Sequence, residues 1–366
     1  MGNVTAVFVG SAGRTTLSVR LKIVTSFGAG HASSQKMRNL AKKAVLRSGL
    51  LRLAARIHGR GAAILMYHSV MEDPQCQDDL LGGIVHSRSA FREQMDLLAS
   101  RYHPISLDQV RRLLRGEGEF PERAVVVTFD DGYADNCEIA APILNEIGIP
   151  ATFYVTVECV EQSRLPWPAR LRFVFRNTKK GSWADSSGKA WPLSSKVERE
   201  KAYLISCDEC GQLAGAAQKK YVACREEELD TQVPGESGAL MMSYDQIRAL
   251  VRQGHIVGSH TMTHPNMAHV SLDQACFEMI ESKQRLERQL NSAVANFSYP
   301  CPALSPHWTE QTAAVSRDAG YETAVTTDGG VARKGDNPLW LKRVRPTKTV
   351  EGLLWNLECA FAGRVV

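Results

Sequence analysis

The stretch Ala124-Val-Val-Val-Thr-Phe129, followed at once by Asp130-Asp-Gly-Tyr133, decides the fold class of this chain. Its first six residues are almost wholly apolar, which is typical of a strand that is buried on both faces of a parallel sheet. The two carboxylates directly behind this strand do not suit a hydrophobic core, because acidic side chains are almost never fully buried unless they are paired. We therefore expect Asp130 and Asp131 at the carboxyl end of a parallel strand, which is the catalytic face in barrel enzymes.

Around this stretch, short β-rich runs alternate with helical patterns, which indicates βα units about a parallel sheet. Three predicted helices begin with the same S-x-x-Q capping box, at Ser106, Ser243 and Ser271. The sequence therefore predicts an α/β fold. The candidate strands are Ile64–Tyr67, Ala124–Phe129, Ala151–Thr156, His255–Ser259, Ala295–Tyr299, Thr323–Thr327 and Leu341–Val344.

Between about residues 158 and 239 the alternation stops, and we interpret this stretch as an insertion over one end of the barrel. It has no clean strand pattern. Its tryptophans, Trp167, Trp183 and Trp191, either stack on sugar rings or anchor the insertion. Cys207 and Cys210 form a C-x-x-C pair without a fourth ligand at a usual spacing, which favours plain thiols over a zinc knuckle.

The N-terminal region has a charge of its own. From Met1 to Met71 there are 11 Lys or Arg residues and no Asp or Glu, whereas the remainder has 33 basic and 39 acidic residues. We expect a basic arm over residues 1–60, partly disordered, with Met37 as the true start, and a globular body over residues 61–366. An amphipathic helix at about 38–57 suits an anionic membrane surface or packing on the barrel.

Composition indicates the class of protein and its cellular compartment. Hydrophobic residues make up 44% and charged residues 23%, the profile of an ordinary globular protein, and no run of about 18 apolar residues predicts a spanning helix. The nine cysteines are scattered, which favours a reducing compartment. Without a secure signal peptide, we expect a cytoplasmic protein or one at the inner membrane face, and no nucleic-acid partner.

The second motif is Ser259-His-Thr-Met-Thr-His264, again directly behind an apolar strand. Two His residues at i and i+4 share one face of a helical turn, a spacing that suits a single Zn²⁺. With one carboxylate they form a His₂Asp set with open coordination positions, as in catalytic metal sites. Structural alternatives are capping or surface roles for the His pair, and a plain Asp-Asp-Gly turn.

Together these motifs resemble the polysaccharide deacetylase family, also called the NodB-homology domain or carbohydrate esterase family 4. The run T-F-D-D-G-Y at 128–133 is similar to its first motif, and S-H-T-x-x-H-P-N at 259–266 to its second. The resemblance covers roughly Ala63 to Pro346. It implies a distorted (β/α) barrel that removes acetyl groups from N-acetylated sugars. It also implies that Asp130 is the general base.

The resemblance further implies that Asp131, His260 and His264 bind a divalent metal, with zinc expected. Phe297-Ser-Tyr-Pro-Cys301 resembles the F-x-Y-P variant of exopolysaccharide-linked members, which implies that the backbone N–H of Cys301 serves the oxyanion hole. Ser298 stands where other members carry an Arg that tunes the base, so tuning of Asp130 must come from elsewhere or be absent. The residues that we assign to substrate binding are Tyr133, Tyr299, Pro300 and Arg343.

The general acid is assigned from a different part of the sequence. The usual late His motif is missing, since the last histidine is His307. Leu65-Met-Tyr-His68 looks like the early Y-H motif of members with a circularly permuted barrel, so we assign His68 as the acid, with a structural role as the alternative. His255 begins a strand and is expected to be structural. Arg343 or Arg345, near the closing strand, is expected to hold substrate or a carboxylate.

The leading hypothesis is therefore a metal-dependent hydrolase that removes N-acetyl groups from an N-acetylhexosamine polysaccharide or its lipid-linked precursor. One alternative is a noncatalytic glycan-binding module, motivated by the missing Arg and the displaced acid. The other is a metallohydrolase that acts on a different acyl amide or ester.

Overall fold

The computed structural model describes residues 40–72, 80–301 and 304–365, apart from the side chains of residues 236–238. The chain divides into two compact units, residues 1–49 and residues 50–366. In the first, residues 40–47 form an exposed helix, and Gly49 is left-handed with φ of 77°. Such a glycine ends a helix, so the helix predicted at about 38–57 is interrupted. Of the basic arm predicted over residues 1–60, residues 1–39 lie outside the described residues.

In the second unit, seven parallel strands close into a barrel in which each strand pairs with its neighbours along the chain. The first strand pairs with both the second and the last, which closes the barrel. All seven predicted strands are confirmed, with small differences at their ends. They are β1 (Gly61–Tyr67), β2 (Ala124–Phe129), β3 (Ala151–Val155), β4 (Ile256–Ser259), β5 (Asn296–Ser298), β6 (Thr323–Gly329) and β7 (Leu341–Val344).

Alternate residues of β2 belong to two different packed layers. Val125 and Val127 pack in a cluster with the surrounding helices, whereas Val126 packs with Ile64 of β1 and Leu341 of β7. Both layers are buried, as the apolar run predicts, and each fully buried aliphatic side chain contributes roughly 1.5–3 kcal/mol relative to exposure. Because side chains alternate along a strand, Asp130 continues the row of Val126 toward the barrel mouth.

Helices surround the barrel, and their starts largely follow the predicted caps. The boxes at Ser106 and Ser243 are reciprocal, but at Ser271 the Gln274 side chain donates to Glu278 instead of returning to the cap. No described helix is long and apolar enough to span a bilayer. The α-helices of the body are Leu50–His58, Arg88–Arg101, Leu107–Leu114, Ala141–Ile147, Val157–Glu161, Trp167–Asn177, Lys196–Gly211, Gly215–Glu228, Tyr244–Arg252, Leu272–Cys276, Ser282–Leu290, Glu310–Asp318 and Val350–Phe361.

Shorter elements complete the body. Two π-helical turns, Asn136–Ala140 and Phe277–Glu281, lead into the helices that follow them, and 3₁₀ turns lie at Gly82–Ile84, Gly235–Leu240 and Pro338–Trp340. Two strands flank the barrel, Ala332–Arg333 antiparallel to β1 and His103–Pro104 parallel to β2. The two remaining strand pairs are Ser69–Met71 with Val85–Ser87 and Ser182–Ala184 with Ala190–Pro192.

The insertion is more regular than the sequence suggests, since it contains helices and a hairpin formed by Ser182–Ala184 and Ala190–Pro192. Its own apolar cluster includes Trp183, which meets Phe175 edge to face at 5.1 Å, together with Cys207 and Cys210. The expectation that it lacks a strand is wrong. The hairpin escaped detection because each strand has only three residues, too few to show an alternating pattern.

Candidate active site

Three residues selected from the sequence lie directly behind barrel strands at one pole. His68 follows β1, Asp130 follows β2, and His260 follows β4. The carboxyl ends of parallel strands meet at the same pole of a barrel. All three side chains accordingly line one cavity of about 430 Å³.

Asp131, His260 and His264 bring their ligand atoms together at this cavity. Asp131 Oδ1 lies 3.4 Å from His260 Nε2 and 3.3 Å from His264 Nε2, and all three side chains are buried. Within the described residues, Asp131 Oδ1 has no hydrogen-bond partner of normal geometry. Ligand atoms about 2.1 Å from a tetrahedral ion lie about 3.4 Å apart. The donor set and its spacing therefore fit a divalent metal, and no second such group occurs in the described part of the chain.

The tautomer of His260 is fixed by its surroundings. Its Nδ1 lies 2.8 Å from the carbonyl oxygen of Ser298. Because a carbonyl oxygen can only accept, Nδ1 carries the proton and Nε2 keeps its lone pair toward Asp131. A ligating imidazole that donates its other N–H to a carbonyl is the usual arrangement in metal sites.

The backbone of the site is strained. Asp131, Thr261 and His264 have φ of 77°, 70° and 63°, a left-handed conformation that costs residues with a side chain about 1–3 kcal/mol each. Gly132 follows with φ of 91°. This turn takes Asp131 out of strand alternation, which lets adjacent carboxylates face one cavity. Strain of this kind clusters at functional sites.

Asp130 is held from behind by Arg343. The guanidinium donates from Nη1 to Oδ1 at 2.9 Å and from Nη2 to Oδ2 at 2.7 Å, and Ser298 Oγ donates to Oδ1 at 3.2 Å. The Arg343 side chain is fully buried. Its assignment to substrate binding therefore needs correction, since Arg343 contacts the carboxylate and does not line the cavity. Arg343 on β7 thus supplies the cation beside Asp130 that is absent from position 298, where this chain has a serine.

The pKa of each buried carboxylate is raised by burial and lowered by neighbouring groups, and the lowering effects together are larger. Burial raises the pKa of Asp130, but the Arg343 guanidinium together with His260 and His68 leaves that pKa below its ordinary value. Burial also raises the pKa of Asp131, but the adjacent imidazoles of His260 and His264 hold that pKa well below the usual range. Both groups are thus ionised at neutral pH.

The other predicted catalytic residues also line the cavity. Burial lowers the pKa of His68, so its imidazole is neutral at neutral pH, and its backbone carbonyl accepts from Asn136 Nδ2 at 2.7 Å. Cys301 lies on the cavity wall with Sγ 2.9 Å from His307 Nε2, a contact that sequence reasoning missed. Burial raises the pKa of the Cys301 thiol. Tyr133, assigned to substrate binding, faces the same cavity.

Two predicted substrate-binding residues point elsewhere. Tyr299 is buried, packs edge to face on Phe297 at 5.0 Å, and donates to the Leu339 carbonyl at 3.1 Å. Pro300 is also buried and does not line the cavity. Strand alternation explains the position of Tyr299, because Ser298 faces Asp130 and its neighbours Phe297 and Tyr299 therefore face the outer layer. Neither Tyr299 nor Pro300 is placed to contact a substrate.

The insertion builds one wall of the cavity with Pro166, Arg172 and Tyr203. Arg172 pairs with Glu200 at 3.0 Å and lies 4.6 Å from the centre of the Tyr203 ring. No motif pointed to these residues, since only the packing of the insertion brings them to the barrel mouth.

The tryptophans anchor the insertion. Trp167 is buried and donates its indole N–H to the carbonyl of His264 at 2.9 Å, which ties the insertion to the His260–His264 loop. Trp183 lies in the apolar cluster of the insertion, and Trp191 donates to Asp185 at 2.8 Å. None of the three lines the cavity. This arrangement favours anchoring over sugar stacking.

Comparison with known proteins agrees with this site. The family model for polysaccharide deacetylase matches residues 117–202 and 214–324, more than half of the chain. The chain belongs to the polysaccharide deacetylase family. Membership confirms the predicted resemblance, the NodB-type barrel and the enzyme class, a carbohydrate N-deacetylase.

Individual relatives are more distant. The Bacillus subtilis (strain 168) protein YxkH is 20% identical over 290 residues, which cover 79% of this chain and 72% of YxkH. The poly-β-1,6-N-acetyl-D-glucosamine N-deacetylase of Escherichia coli (strain K12) is 44% identical, but over 66 residues, 18% of this chain and 10% of that protein. The Streptococcus pyogenes deacetylase PplD, solved with acetate, is similar with a TM-score of 0.55 and 20% identity, covering 81% of this chain and 98% of PplD. That likeness supports the fold.

Proposed function

We propose that this deacetylase is a metal-dependent hydrolase that releases acetate from N-acetylhexosamine units of an exopolysaccharide. The observation that carries the proposal is the buried Asp131, His260 and His264 set beside a second ionised carboxylate, Asp130, in one cavity. The local likeness to a poly-β-1,6-N-acetyl-D-glucosamine N-deacetylase supports an N-acetylglucosamine polymer as the substrate class. Zinc suits the His₂Asp donors.

Asp131, His260 and His264 would hold the ion. When bound, the ion supplies Lewis acidity, which activates water and polarises the acetyl carbonyl. Asp130 accepts the proton as the water oxygen attacks the acetyl carbon. Arg343 keeps Asp130 ionised and fixes its orientation through two hydrogen bonds.

Breakdown of the tetrahedral intermediate needs an acid and a donor for the oxyanion. The proton that Asp130 has accepted passes through the His68 imidazole to the sugar nitrogen as the C–N bond breaks, so that the products are acetic acid, which ionises to acetate, and a free amine. The backbone N–H of Cys301 donates to the oxyanion. Both residues line the cavity with Asp130, which supports these roles.

Metal content and acetate release together test the proposal. Wild-type protein is expected to bind one Zn²⁺ per chain and to release acetate from β-1,6-linked N-acetylglucosamine oligomers. His264→Ala removes one of three protein ligands, and we expect stoichiometric metal binding to be lost and acetate release to fall by more than about 10³-fold. Metal is measured by elemental analysis after dialysis, and acetate by an enzyme-coupled assay.

A matched control is His255→Ala. His255 is buried at the opposite end of β4, where it meets Phe153 edge to face at 5.3 Å. That variant is expected to lose stability but to keep its metal and its turnover. Acetate release that is unchanged in His264→Ala would contradict the proposal. Release from acetyl esters or chito-oligomers alone would redirect the substrate class.

A further inference from the structure

Glu278 is a buried carboxylate that the proposed chemistry does not use. It is completely inaccessible to solvent and lies on the π-helical turn Phe277–Glu281. Such turns inside helices are rare and frequently lie at functional sites. A buried charge is tolerated when hydrogen bonds satisfy it, so the partners of Glu278 indicate what it is for.

Those partners lie mainly in the loop between the two metal-binding histidines. Oε2 accepts from the backbone N–H groups of Met262 and Thr263, both at 2.9 Å. Oε1 accepts from Thr263 Oγ1 at 2.6 Å and from Gln274 Nε2 at 3.0 Å. Glu278 thus ties the helix that contains it to the middle of the His260–His264 loop.

The loop needs such support because of its backbone. Thr261 and His264 both have positive φ, which a free loop would relax away from. Other bonds act on the loop ends, where Thr261 Oγ1 accepts from the N–H of His264 at 2.9 Å. From outside the loop, the backbone N–H groups of Val157 and Glu158 donate to the carbonyls of Thr261 and Met262 at 3.1 and 3.0 Å. Glu278 binds the N–H groups on the other side of the loop centre, so its loss removes that side of the support for the spacing of the two imidazoles.

We propose that Glu278 is a positioning residue that keeps His260 and His264 in metal-binding geometry. The inference rests on the proposed metal-dependent function. It predicts that Glu278 acts on metal affinity through hydrogen bonds and not through its charge. Glutamine at this position should therefore preserve the function. Its Oε1 can accept from both backbone N–H groups, while its Nε2 donates to Thr263 Oγ1 and to the side-chain oxygen of a flipped Gln274.

The test compares metal affinity of full-length apoproteins by competition with a chromophoric zinc chelator. Glu278→Ala is expected to weaken Zn²⁺ binding about 10–100-fold, the usual effect of losing a group that orients a ligand. Glu278→Gln is expected to restore most of that affinity. Acetate release from Glu278→Ala should recover at excess Zn²⁺, since no ligand has been removed.

Glu358→Ala is the matched control. Glu358 is a buried carboxylate on a different helix, and it bonds to Tyr102 and to Arg123. Arg123 precedes the amino end of β2, whereas the loop follows the carboxyl end of β4. This variant should lower thermal stability and leave Zn²⁺ affinity unchanged. If Glu278→Ala does not fold, Glu278→Asp provides the same measurement, because the shorter side chain cannot reach both loop N–H groups.

Wild-type Zn²⁺ affinity in the alanine or aspartate variant would overturn the inference, and so would a glutamine variant as weak as alanine. If the wild-type protein binds no Zn²⁺, the proposed metal-dependent function fails instead, and the two failures are therefore distinguishable.

Discussion

Replacing Asp130 with asparagine is expected to lower kcat/KM for acetate release about 10²–10⁴-fold while one equivalent of metal still binds. The magnitude is that of losing a general base. Asparagine keeps the size of the side chain and one oxygen for Arg343, but it cannot accept a proton. Arg343 also donates to the Thr326 carbonyl at 2.7 Å, so the guanidinium keeps a partner and the barrel is expected to fold.

Asp131→Asn is the neighbouring control for this prediction. Asp131 belongs to the proposed metal-binding set, so its variant should lose both metal affinity and turnover, whereas Asp130→Asn should lose turnover alone. Metal content by elemental analysis and initial rates on the same preparations separate the two cases. Turnover of Asp130→Asn within about tenfold of the wild type would contradict the role of base.

The fold was largely predictable because its strands are short apolar runs in regular alternation with helices. Every barrel strand was located from such a run, since a parallel sheet covered on both faces requires one. The capping box at Ser271 was only half right, because Gln274 is recruited by Glu278, a tertiary contact that local pattern cannot reveal. The hairpin near Trp183 was missed, since its strands are too short for periodicity.

Site residues were predictable where a sequence motif coincides with the end of a strand. They were not predictable where contacts across the barrel determine which residues meet. Asp131, His260 and His264 follow the first rule, as their ligand atoms meet around one point. Tyr299 shares its motif with Ser298 but faces the opposite layer. The role of Arg343 depends on strand closure, which brings β7 beside β1, itself paired with β2, so that Arg343 reaches Asp130.

Replacing Arg343 with methionine is expected to destabilise the protein by about 3–5 kcal/mol and to lower kcat. Methionine fills similar space, but it leaves Asp130 as a buried charge without its cation, which is the costly way to break a buried pair. Urea unfolding of the metal-free protein measures this loss. Without the guanidinium, Asp130 is also expected to be less well oriented as the base, which should reduce kcat more than it raises KM.

The double variant Asp130→Asn with Arg343→Met separates pairing from packing. It removes the charge of both members of this pair, so its destabilisation should be smaller than the sum of the two single losses, by about 0.5–3 kcal/mol. Additive losses would show that Arg343 acts through packing and not through Asp130.

The same pair has a defined pH dependence. Arg343 lowers the pKa of Asp130 in the folded protein, so its stabilisation is present above the unfolded value of about 3.9 and is lost as pH falls through the folded value. Arg343→Met removes the largest of the influences that lower this pKa, so the pKa of Asp130 rises relative to the wild type and the variant loses less stability than the wild type as the carboxyl is protonated. The stability difference between wild type and Arg343→Met is therefore expected to be largest near neutral pH and to narrow toward pH 4. A difference that widened on acidification would contradict the ion pair as its origin.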